Sequence, residues 1–233
     1  MQNDVLSQIR KLREIEEVVV FTHNIDFIFL QTVFISALKK CGHPNLTVLA
    51  DSQYAIDSYQ SQSSLLSGLG SRYRVIPVQV KPGFRFHPKA VLLSGKKSAT
   101  LFVGSGNLTF GGMRENAEVW SKFTLDDGVE KISGFRDYIQ SILPMVGFPK
   151  EAERDLADAF SSERNPWVSG LPEAEDIWSS PGSNESLLDY IVRRVSGKQL
   201  NKLIVCTPYF DSEANALQEL VTRLGDVPTE VYI

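Results

Sequence analysis

Cysteine is scarce in this sequence, histidine nearly so, and long apolar runs are missing. The two cysteines, Cys41 and Cys206, sit in apolar segments without metal-ligand spacing. A disulfide scaffold or a zinc finger is thereby excluded, and both are read as buried thiols. No stretch approaches the roughly 20 apolar residues of a membrane-spanning helix. The N-terminal MQNDVLSQIRKLREIEE reads as a charged helix rather than a signal peptide, so a reducing cytoplasm is the expected compartment and no membrane is an expected partner. Three scattered histidines and no H-E-x-x-H give no metal site, and no cofactor is expected.

One further absence is local. Between Ser58 and Arg114 there is no Asp or Glu, while Arg72, Arg74, Lys81, Arg85, Lys89, Lys96, Lys97 and Arg114 supply a local charge of +8. From Glu115 to Ile191 the balance reverses, with sixteen acids against six bases. The formal net charge of −4 argues against a protein that coats nucleic acid generally. The basic window instead predicts a positive surface gathered near one site, able to track a phosphate backbone.

What is present is an alternation of strands and helices. Glu16–Thr22 and Leu46–Ala50 read as strands around a helical Ile25–Cys41 that Gly42 and Pro44 stop. A helical segment to about Leu69 precedes a strand over 73–80, where Pro77 predicts an edge or a bulge. KAVLLS and ATLFVG flank Gly95-Lys96-Lys97 as a hairpin, and 117–123 alternates as a further strand. Residues 128–143 and 150–161 look helical. A Pro/Gly/Ser/Trp-rich connection over about 164–183 leads to a helix capped near Ser183 or Asn184. The class is α/β, a mixed sheet with helices on both faces.

The last segment repeats the first. Leu203–Val205 align with Val18–Val20, Thr207 with Thr22, Asp211 with Asp26 and Pro228 with Pro44, each copy reading strand, Thr-x-x-x-Asp turn, helix, strand. The expected organisation is a first repeat over 1–145, a helical or irregular connection over 146–190, and the start of a second, incomplete repeat over 191–233. A missing C-terminal half would complete it.

Between Arg85 and Trp120 the residues carry chemistry. His87 and Lys89 are two apart in an extended segment, so both leave one face, with the lysine neutralising an anion that the imidazole could attack. Asn107 lies in a turn opened by Gly104, Ser105 and Gly106, where an amide and close-lying backbone N–H groups can hold phosphate oxygens. Glu118, on the expected next strand, could fix the imidazole tautomer. His23 and His43 have no lysine two residues on and are read as structural. The glycine turn is neither a dinucleotide fingerprint nor a Walker loop, since Thr109 stands where a third glycine belongs and no lysine follows. A Ser105–His87 hydrolase lacks the G-x-S-x-G elbow.

His87-Pro88-Lys89, the block Gly104-Ser105-Gly106-Asn107-Leu108-Thr109, and the trailing Gly112, Asn116 and Glu118 together resemble the phospholipase D superfamily of H-x-K phosphodiesterases. The resemblance covers about Phe86 to Trp120 closely. It departs at Ser94, where the fuller motif has an aspartate; members acting on nucleic acid, including tyrosyl-DNA phosphodiesterases and some metal-independent restriction nucleases, look similar in lacking it. The resemblance implies a phospholipase D-like fold and a metal-independent phosphodiesterase, most simply a nuclease cutting DNA through a phosphohistidine, in a setting such as bacterial restriction or phage defence. His87, Lys89, Asn107 and Glu118 would be catalytic. Arg85, Lys96, Lys97, Ser105, Gly106 and Thr109 would bind substrate. The chemistry needs a second H-x-K half-site, from a missing C-terminal repeat or a homodimer partner. The alternatives are a phospholipid phosphodiesterase and an inactive module that binds nucleic acid or an assembly partner.

Overall fold

The computed structural model describes residues 4–144, 148–174, 185–207 and 209–232. Two compact units make up the chain, Met1–Ile177 and Trp178–Ile233.

The first unit is built on six strands: β1 (Glu17–Thr22), β2 (Asn45–Asp51), β3 (Arg74–Val78), β4 (Ala90–Gly95), β5 (Ser98–Gly104) and β6 (Trp120–Thr124). Their order is β3-β2-β1-β4-β5-β6. The first three run parallel and the last three antiparallel, with β1 as the hinge: Val20 pairs with Val48 on one side and Val91 on the other. The continuous apolar run of β1 follows from this place, because a strand covered on both faces needs no polar alternation. Val18 and Val20 pack with Leu6, Phe29, Phe34 and Leu93 on one face, and Val19 and Phe21 pack with Leu92, Ile132, Phe135 and Leu156 on the other. Pro77 sits exposed on the edge strand β3, where its missing N–H leaves no gap in the ladder.

Helices cover both faces. The expected helix after β1 forms as α2 (Phe27–Phe29), a π turn over Leu30–Phe34, α3 (Ile35–Leu38) and a 3-10 turn over Lys39–Cys41. Asp26 starts it by accepting hydrogen bonds from the N–H groups of Ile28 (2.8 Å) and Phe29 (3.0 Å). A helix α4 (Ser52–Gln62) follows β2, and α5 (Val129–Ile142) and α6 (Lys150–Ala159) cover the other face.

Several expectations need correction. Within the stretch expected as a connection, 146–190, α6 buries Ala152, Leu156 and Ala159 in the second core cluster, and Trp167 donates its indole N–H to Gly95 O at 2.8 Å. Strand β6 begins at Trp120, so Glu118 precedes it. Cys41 is buried, but Cys206 is exposed on a strand whose side chains are only partly covered. The expected cap at Ser183 or Asn184 lies outside the described residues; helix α7 (Leu187–Val195) is capped by Ser186.

The second unit contains α7, β7 (Leu203–Cys206), α8 (Asn215–Arg223) and β8 (Thr229–Tyr232), with β7 and β8 parallel. Its turn after β7 has bonds of the same kind as the turn after β1, with Asp211 reaching N–H groups four and five residues on where Asp26 reaches those two and three on. Thr207 Oγ1 donates to Tyr209 O at 3.1 Å, as Thr22 Oγ1 donates to Asn24 O at 2.7 Å. The Asp211 carboxylate accepts from the N–H groups of Asn215 and Ala216, as Asp26 does from Ile28 and Phe29. Among the described residues, no helix is long and apolar enough to cross a membrane.

Candidate active site

Strands β1, β2 and β3 end, and β4 begins, at one edge of the sheet. The loops leaving that edge carry Thr22–Asp26, Asp51–Tyr54, Phe84–Lys89 and Ser105–Glu118. In open α/β sheets such a carboxyl edge is where ligands are held.

The scaffold of this edge is a set of buried polar bonds. Thr22, buried, donates to Asn24 O and accepts the N–H of Leu108 at 3.0 Å. Asp26 N donates to Leu108 O at 3.0 Å, and Asn24 N donates to Asn107 Oδ1 at 3.2 Å. The turn after β1 is thereby sewn to the turn after β5. Because Oδ1 of Asn107 is occupied, the amide Nδ2 of that side chain is left as a donor.

Asp51 plays the same part for the histidine segment. Its carboxylate accepts Gln53 N, which caps α4, and Phe86 N at 3.0 Å. Phe86 is buried against Phe21, with centroids 5.7 Å apart, so the flanking residues Arg85 and His87 face outward. His23, expected to be structural, joins the site. Its Nδ1 faces Phe86 O at 3.1 Å, and its ring lies 4.2 Å from that of His87. A carbonyl only accepts, so the neutral His23 ring carries its proton on Nδ1.

Lys89 Nζ lies 3.0 Å from His87 Nδ1 and 3.4 Å from Nε2, and donates to His87 O at 3.2 Å. The pKa of His87 falls below the ordinary imidazole value. Burial is the largest cause, the Lys89 ammonium and the His23 ring add to it, and the Asp51 carboxylate opposes it. Burial likewise lowers the pKa of Lys89, against the opposing pull of Glu118. The pair therefore presents a neutral imidazole beside a cation, a combination suited to attack on an anionic phosphodiester.

Glu118 accepts from Ser105 Oγ at 2.5 Å and from Asn116 Nδ2 at 3.3 Å. Its hydrogen bonds brace the two ends of the β5–β6 loop, not the imidazole whose tautomer it was expected to fix. Val119 N completes the brace by donating to Ser105 Oγ at 3.0 Å. Thr109 Oγ1 accepts Gly112 N at 3.0 Å and so caps the π turn Gly111–Glu115. Gly106 is small for an internal reason: a Cβ there would meet Gly112 O at 2.0 Å.

Lys96 and Lys97 are not at this edge. They form the β4–β5 turn at the far end of a strand that covers about 20 Å at roughly 3.3 Å per residue. Arg72 and Arg74 also lie at that end, and Arg74 is paired with Asp155 at 2.6 Å. Of the basic window, Lys81, Arg85, Lys89 and Arg114 remain on loops at the site edge. Ser94 is a core residue donating to Ala159 O at 2.9 Å and is remote from Lys89. Among the described residues no group of three or more His, Cys, Asp or Glu could hold a metal ion.

What the motif missed is His23 and Asp51. Their signal was position: each stands at or just beyond the end of a parallel strand followed by a helix.

No protein-family model and no curated protein matches the sequence. Solved structures do. A mutant of yeast tyrosyl-DNA phosphodiesterase is similar over 93% of this chain and 53% of its own, with a TM-score of 0.53 and 14% identity. NucT from Helicobacter pylori is similar over 60% of this chain and 86% of its own, with a TM-score of 0.44 and 19% identity. Nuc from Salmonella typhimurium, a phospholipase D family member, is similar over 62% and 88%, with a TM-score of 0.41 and 14% identity. The fold of this chain is therefore similar to that of the yeast tyrosyl-DNA phosphodiesterase, a mixed sheet flanked by helices. The chain spans about half the length of the yeast enzyme, whose likeness is one of fold.

Proposed function

We propose that the chain is a metal-independent phosphodiesterase of nuclease type, acting on DNA through a phosphohistidine. The observation that carries the reading is Lys89 Nζ 3.0 Å from His87 Nδ1, with Asn107 held by the neighbouring turn. In the step proposed, an imidazole nitrogen of His87 attacks phosphorus and a P–N bond forms. The P–O bond to the leaving oxygen breaks, and that oxygen takes a proton from a second acid. Water then attacks the phosphohistidine, breaking the P–N bond and returning the imidazole. Lys89 and the Asn107 amide stabilise the extra negative charge at phosphorus. A bound phosphate would also draw Lys89 off the imidazole, freeing the nitrogen that attacks.

The second acid belongs to a second H-x-K half-site. The repeated Thr–Asp turn of the second unit favours a further repeat as its source over a twofold-related copy. A restriction or defence setting rests on the sequence resemblance.

Cleavage of labelled single- and double-stranded DNA in EDTA, with the wild type and His87→Ala, tests the reading. Cleavage should persist in EDTA and be lost in the variant. Cleavage that needs an added divalent ion, or that survives His87→Ala unchanged, overturns it. Mass in solution separates the two sources of the second half-site: an active monomer of this chain alone would contradict the need for either.

A further inference from the structure

Beside the histidines lies an open cleft of about 360 Å³ between the turn after β1 and helix α4, lined in part by Asn24, Tyr54, Asp57, Ser58, Ser61 and Gln62. None of its lining residues is a lysine, arginine or histidine, and its two charged groups, Asp26 and Asp57, are both acidic. Such a cleft repels phosphate. It suits an uncharged polar group that makes hydrogen bonds, and it offers no apolar wall for an acyl chain. Asp57 is bonded to Gln53, while the side-chain amide of Asn24 and the hydroxyl of Ser58 have no protein partner among the described residues.

An aromatic row leads from the cleft to the reacting pair. Tyr54 lies 4.4 Å from His23 in an edge-on contact at 61°, and His23 lies 4.2 Å from His87. Tyr54 is 41% exposed, and an edge-on neighbour leaves a ring face open. Phe84, three residues before His87, is 68% exposed and flanked by Arg85. Exposed rings interleaved with cations are the means by which proteins bind unpaired bases beside a phosphate backbone.

We infer that this cleft is a base-binding subsite, in which an unpaired nucleobase next to the scissile phosphate stacks on Tyr54 and meets the hydrogen-bonding groups of Asn24 and Ser58. The inference rests on the phosphodiesterase reading above and deepens it: the substrate engaged here is single-stranded. A paired base is already stacked within the duplex and has no free face to offer.

The test is binding rather than cleavage. Fluorescein-labelled oligothymidylate is titrated in EDTA with the full chain carrying His87→Ala, and anisotropy is read. Adding Tyr54→Ala should weaken binding about tenfold or more, the range found for loss of one stacked base, whereas Tyr54→Phe should stay within about twofold. The same titrations with an abasic oligomer of equal length should show weak binding that Tyr54→Ala does not weaken further. An equal loss on the abasic strand, or no loss on oligothymidylate, overturns the subsite. Failure of the His87→Ala chain to bind either oligomer overturns the nucleic-acid reading itself. Since Tyr54 is on the surface, its truncation opens no core cavity.

Discussion

His87 sits where three influences push the same way: burial, the Lys89 cation and the His23 ring all favour the uncharged imidazole, and Asp51 only partly opposes them. The sign of the pH dependence follows. On the proposed mechanism a depressed pKa favours the attacking, uncharged imidazole, so the acid limb of the cleavage profile should lie below the ordinary imidazole value of 6.5. Lys89→Met removes a positive neighbour and should move the His87 midpoint upward, followed through its ring proton signals by NMR. A downward move would contradict the placement of the ammonium. At the same scale, the structure brings His87, Lys89 and Asn107 to one edge of the sheet, while two of the expected site residues have bonds within their own loop. Glu118 and Thr109 turn their polar atoms to loop and cap, because a loop's own unpaired N–H and hydroxyl groups compete for any nearby acceptor.

Among the elements, the turn after β1 determines where Asn107 points. Thr22→Val keeps the shape but removes the hydroxyl that bonds Asn24 O and Leu108 N. Denaturant unfolding should show a loss of about 2 kcal/mol, the scale of a buried N–H left unsatisfied, and Thr22→Ser should recover most of it. Helix α6 is anchored differently. Buried Asp155 accepts from Thr47 Oγ1 at 2.7 Å and Arg74 Nη2 at 2.6 Å, tying the helix to β2 and β3. Asp155→Ala should cost about 3 kcal/mol, as for breaking a largely buried pair, seen as a lower denaturation midpoint. An unchanged midpoint would mean the anchor is idle. The strands were legible because their apolar runs are long and β-branched. The role of α6 was not, since Ala152, Leu156 and Ala159 make a small apolar face whose burial needs a partner that only the folded sheet supplies.

Over the whole molecule, charge is divided between the two ends of the sheet. With Lys81, Arg85, Lys89 and Arg114 on loops at the site edge, the affinity for single-stranded DNA should fall with salt at a log–log slope of about −3, at roughly 0.7 per phosphate contact. A slope near −6, as roughly eight contacts would give by the same rule, would mean that the remote cations also touch the strand. The same division separates what the chain order determined from what the tertiary structure decided. Composition and apolar periodicity were enough for an α/β sheet, and the spacing of His87, Lys89 and Asn107 pointed to one loop cluster. They are local properties, readable along a strand or turn. That Lys96, Lys97 and Ser94 are remote, and that His23, Asp51 and Tyr54 are close, depends on strand order. Pairing β1 parallel to β2 and antiparallel to β4 brings the ends of the first two and the beginning of the third to one edge. A hairpin only six residues deep is enough to carry its own turn to the other.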